Sequence, residues 1–108
     1  MPRMLPTLSI AGILALTAAP VVLAAEGAQV FKDQCAKCHG ETGKADTPVG
    51  KALKAPVLAG DAKVAGMSDA DLAAAIKGNQ KHAGFIKTMK DDDVTAAAAY
   101  VKGLASGK

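Results

Sequence analysis

The sequence predicts an all-α domain of three main helices joined by a loop-rich middle, on three observations. Val30, Phe31 and Gln34-Cys35 fall on one side of an early segment at the 3- to 4-residue spacing of a helix. Two later segments, Met67 to Gly78 and Met89 to Gly103, share one plan: a Met, a run of acids, an aliphatic five residues after the Met, then an alanine-rich stretch closing on Lys-Gly. No alternating apolar–polar run competes as a strand.

In chain order, the first element is a leader. Met1 to Pro6 carries one cation, Arg3, and Leu5 to Leu23 is almost wholly apolar. Val22-Leu23-Ala24-Ala25 then puts small residues where a signal peptidase cuts, so residues 1–25 read as a secretory signal and 26–108 as the single working domain. The alternative is a retained anchor, since about 20 apolar residues span a bilayer. The segment ends in Ala-Ala rather than in a basic stop, which favours cleavage.

The first helix is expected over Glu26 to Cys38, with Gly40 as its stop. Gly43, Pro48 and Gly50 mark the next stretch as a loop, and Pro56 excludes a long helix across Lys51 to Ala59. In the two alanine-rich helices, acids in the first turn and lysine in the last suit the helix dipole. Ser68 with Asp71 resembles a capping box. Lys90 is a poor counterpart, which leaves capping of the last helix to Asp91. Met67 and Met89 then fit as staples against Leu72 and Val94.

A domain of this size rarely buries enough apolar surface unaided. This one is especially short of bulk: Phe31, Phe85 and Tyr100 are its only aromatics, and much of its apolar content is alanine. The formal charge is +3, and Arg3 leaves with the signal. The lysines are scattered, so no basic field suggests nucleic acid. No nucleophile–base constellation marks the chain as an enzyme in its own right.

The chemistry concentrates in Cys35-Ala36-Lys37-Cys38-His39, which holds the only two cysteines. C-x-x-C-H reads as covalent attachment of one c-type haem, with both thiols as thioethers and His39 as the proximal iron ligand. Such a plate would supply the missing core, and its two propionates would bring the net charge near zero. Three other readings exist. A disulfide suits two exported cysteines; a thioredoxin-like pair wants a βαβ context; zinc wants a second ligand pair, which is missing.

On these residues the chain, over roughly Glu26 to Leu104, resembles the small class I monohaem c-type cytochromes. Gly27-x-x-x-Phe31-x-x-x-Cys35-x-x-Cys38-His39-Gly40 is similar to their first helix and attachment site. Ala55-Pro56-x-Leu58-Ala59-Gly60 is similar to their proximal segment, and Ala96 to Leu104 to their last helix. The resemblance implies a cytochrome c-like fold wrapped around the haem. It implies a Pro56 carbonyl accepting the proton of His39, with Leu58 beside it, and a crossing of the first and last helices at Gly27, Phe31 and Tyr100. It also implies a location outside the cytoplasm, here the periplasm.

One departure matters. The family usually carries Met-Pro-x-Phe on the distal side, its Met as sixth ligand, about seven residues before the next helix start. Here that place holds His82, in His82-Ala83-Gly84-Phe85, and Phe85 matches the family phenylalanine. His82 stands 43 residues past His39 on a Gly-flanked loop, and neutral imidazole is a good iron ligand. Met89, 50 residues past His39, is the alternative distal ligand, although the staple explains it equally well; an open site, Asn79, Lys81 and Met67 stand behind these two.

The function expected is that of a periplasmic one-electron carrier of low potential, a monomer that docks transiently with redox proteins. With its signal removed it would have no stable membrane insertion. Two alternatives remain: a small-ligand sensor with a labile distal His82, and a haem subunit of a larger redox enzyme.

Overall fold

The computed structural model describes residues 26–107, so the expected signal segment lies outside the described residues. The described chain is helical with no strand. We number its helices as follows: α1 over 26–39, α2 Pro48–Leu53, α3 Ala62–Ala65, α4 Asp69–Gly78, α5 Ala83–Ile86 and α6 Asp91–Ala105. A 3₁₀ turn, Gln80–His82, joins α4 to α5.

The all-α expectation holds, with α1, α4 and α6 as its main helices. Helix α1 contains a π turn at Phe31–Cys35, where the Ala36 N–H reaches back to the Phe31 carbonyl. Such turns concentrate at functional sites, and this one ends on the first cysteine.

Helices α4 and α6 lie antiparallel. Lys77 near the end of α4 pairs with Asp91 at the start of α6 at 2.6 Å, and Lys102 near the end of α6 pairs with Asp69 at the start of α4 at 3.2 Å. These are exposed pairs and contribute little; their value here is that they fix the direction of packing. The core does the binding. Its side chains among the described residues are Phe31, Leu72, Val94, Val101 and six alanines. Alanine lets helices approach closely but supplies little transfer energy per residue.

The first and last helices meet where the sequence pattern puts them. The Phe31 and Tyr100 rings lie 5.2 Å apart at 49°. Gly27 packs directly on the backbone of α6, so a Cβ there would overlap the Ala96 carbonyl oxygen. Gly27→Ala is therefore expected to force the two helices apart at a cost of about 2 kcal/mol, roughly 10 °C in the thermal midpoint of a domain this small. A melt of the holoprotein that does not move would show that the crossing tolerates a methyl group.

Two local expectations need correction. The stretch around Pro48 and Gly50 is not loop but helix α2: Pro48 opens it, and the Thr47 side chain caps it by accepting the Gly50 N–H. The glycine is there for proximity, since a Cβ at Gly50 would strike the Cys38 carbonyl. At the start of α6 the cap is not Asp91. Lys90 is the N-cap residue, and its N–H is bonded by the Asp93 carboxylate at 3.4 Å, which leaves Asp91 free to pair with Lys77.

Candidate functional site

The attachment motif occupies the last turn of α1, and two devices hold that turn. The Thr47 hydroxyl donates to the Lys37 carbonyl at 2.7 Å and also lies 3.2 Å from the Cys38 carbonyl. Beyond the turn, the Ala45 N–H donates to the His39 carbonyl at 2.7 Å from a left-handed backbone, φ 53°. An alanine in that conformation costs about 1–2 kcal/mol, a strain that the closure of this loop over His39 offsets.

Cys35, Cys38 and His39 all border one predominantly apolar cavity that opens to solvent. Burial, with Cys38 as a neighbour, pushes the Cys35 thiol up to about 11. It therefore stays protonated at neutral pH, and an uncharged thioether suits the same place. Both cysteines are free thiols, so the disulfide reading has no support here. Among the described residues no three His, Cys, Asp or Glu side chains cluster as metal ligands, which leaves zinc without a site.

The His39 ring is aligned from behind. Its Nδ1 lies 3.1 Å from the Pro56 carbonyl oxygen, which requires Nδ1 to carry the proton and leaves Nε2 as a free donor. Burial lowers the His39 pKa, His82 lowers it further, and the Pro56 bond works against both. The net effect favours the neutral imidazole that a metal needs.

His82 stands across the same cavity, with its ring centre 6.5 Å from that of His39 and the planes at 66°. Its Nδ1 lies 2.6 Å from the Ile76 carbonyl oxygen, so it too presents Nε2. A metal–imidazole bond is about 2 Å, and a ring centre lies about 1 Å behind its nitrogen, so two imidazoles opposed on one metal have centres about 6 Å apart. The observed spacing leaves room for one metal ion between the rings. Phe85 packs beside His82, ring centres 5.3 Å apart, and Leu58 and Pro56 also line the cavity. The residues present thus fit a haem in covalent chemistry, apolar lining and nitrogen donors.

Of the residues singled out from sequence, Cys35, Cys38, His39, Pro56, Leu58, His82 and Phe85 all border this cavity. Met89 does not; it sits in the turn ahead of α6, its N–H donating to the Ile86 carbonyl. Sequence reasoning missed Thr47 and the Ile76 carbonyl. Asn79 and Lys81, the lesser distal candidates, also border the cavity, whereas Met67 does not. Thr47 carried a signal, since Thr-Pro is a helix start. The Ile76 carbonyl carried none.

Comparison with known families agrees. The family described as "Cytochrome C oxidase, cbb3-type, subunit III" matches residues 22–101. No solved structure matches the chain.

Proposed function

We propose a function from one premise: the chain belongs to the family of the cbb3-type cytochrome c oxidase subunit III, and so is a c-type cytochrome domain with a covalently bound haem. It is an electron-transfer module. A haem bound here would supply one-electron chemistry. What the chain's own residues do follows from their places. Cys35 and Cys38 would hold the porphyrin by thioethers, and His39 and His82 would each offer Nε2 to its iron. Pro56 and Ile76 keep the protons on Nδ1, while Leu58 and Phe85 exclude water from the faces.

The protein is thus read as a periplasmic carrier with two axial histidines, exported by a cleaved signal over residues 1–25. It acts as a monomer with a single haem that docks transiently with redox partners. No described helix is long and apolar enough to cross a membrane. Imidazole is a stronger donor to ferric iron than thioether sulfur, and Met ligation raises the potential, so the pair implies a low-potential member of the family. The observation that carries this reading is the pair of imidazoles 6.5 Å apart with both Nδ1 atoms engaged. A distal histidine braced in this way favours a closed iron over the labile one that a sensor requires.

The test is the near-infrared spectrum of the ferric protein together with size-exclusion chromatography of the purified product. A low-spin spectrum with no sulfur-to-iron charge-transfer band, from a monomer, is the expected result. A sulfur band would transfer the distal role to a methionine. Co-elution with a catalytic chain would make this the haem subunit of an oxidase instead.

A further inference from the structure

The 79–82 turn that carries His82 is braced within itself. The Asn79 side chain accepts the Lys81 N–H at 2.9 Å, and the Asn79 carbonyl accepts the His82 N–H at 2.9 Å. Gly78 and Gly84 flank it, and a Cβ at either position would meet no neighbour. Neither flank therefore contributes a packed side chain to hold the turn, which makes a contact from outside it consequential.

Lys81 supplies that hold. Its Nζ donates to the Leu53 carbonyl at 2.6 Å, a contact spanning 28 residues of sequence. Leu53 ends α2 and Ile76 lies in the last turn of α4. Carbonyls there have no intrahelical partner and sit at the negative end of the helix dipole, so they suit an ammonium and an imidazole N–H. Consecutive residues, Lys81 and His82, therefore grip the ends of two different helices. Three residues beyond Leu53 is Pro56, whose carbonyl holds His39. One short stretch, 53–56, thus holds the His39 ring directly and the turn that carries His82 through Lys81.

We infer that Lys81 is a positioning residue: through the Leu53 carbonyl it ties the distal turn to the segment that holds His39, and so maintains the separation of the two imidazoles. The inference rests on His82 being the distal donor. It assigns Lys81 no ligand role. Its effect is on how often His82 leaves the iron, rather than on whether it binds, and the bond is exposed enough to be worth little to global stability.

The test uses the rate at which carbon monoxide binds the reduced holoprotein, which in a six-coordinate haem requires His82 to leave first. Lys81→Leu keeps the apolar stem and removes the donor, Lys81→Arg keeps a donor, and Lys102→Leu removes the ion pair to Asp69 at the opposite end of α4 from the turn. The expected result is a rate about five-fold faster for Lys81→Leu, with Lys81→Arg and Lys102→Leu close to the parent. All three should keep a low-spin ferric spectrum. An unchanged rate in Lys81→Leu, or an equal rise in Lys102→Leu, would overturn the inference while leaving the distal histidine in place. His82→Ala separates the other failure: a ferric spectrum that it does not alter would remove His82 from the iron, and the role of Lys81 with it.

Discussion

Replacing His82 with alanine is expected to open one face of the haem and to produce the largest change in redox behaviour of any single substitution here. His82 borders the same cavity as His39, ring centres 6.5 Å apart, with its ring proton already committed to the Ile76 carbonyl. Among the described residues no other imidazole or thioether borders that side of the cavity. Met89 lies outside the cavity lining, and Lys81 is engaged with Leu53. The ferric spectrum should pass from six-coordinate low-spin towards high-spin, and the reduced form should bind carbon monoxide on mixing. Loss of an imidazole that favours the ferric state should raise the midpoint potential on the order of 0.1 V, a modest part of the ~0.8 V over which axial ligands move haem. A single potentiometric titration beside the optical spectrum decides the matter. Unchanged coordination would mean that Met67, Met89 or another donor reaches the iron by a rearrangement of the loop.

The parts of the site that were legible in the sequence are those where covalent or coordination chemistry demands a side chain. Two thiols and an imidazole at fixed spacing have few other uses, so Cys35, Cys38 and His39 announce themselves. The helices were legible for a similar reason, because apolar spacing and charged ends are side-chain properties. What stayed hidden depends on backbone atoms. The Ile76 and Leu53 carbonyls accept hydrogen bonds because α4 and α2 stop where they do, and any residue type at those positions offers the same oxygen. Gly50 misled for the opposite reason: a glycine that marks a turn and one that admits a neighbouring backbone look alike in sequence, and here it admits the Cys38 carbonyl inside a helix. Lys90 likewise looked like a missing cap because the carboxylate that serves it arrives from Asp93, three residues on.

The double substitution Cys35→Ala/Cys38→Ala is expected to have the largest effect on folding. Six of the ten buried apolar side chains are alanines, and only Phe31 and Val94 are large side chains almost wholly removed from solvent. Leu58, Ile76 and Phe85 are only half-buried, since they face the cavity rather than each other. With the haem in place, those surfaces become core, at about 25 cal/mol for each Å² of apolar area removed from water. Without the thioethers the porphyrin would be held by coordination alone and would be free to dissociate. Its loss would leave a void lined by apolar side chains in a domain with little margin, since native domains hold only about 5–15 kcal/mol in total. The variant should therefore release its haem into acidified organic solvent, which the parent retains, and should lose its cooperative thermal transition as the haem departs. Single Cys→Ala variants should fall between, each keeping one thioether. A haem-free double variant that still unfolded cooperatively near the parent midpoint would show that the alanine-rich helices pack sufficiently without their cofactor.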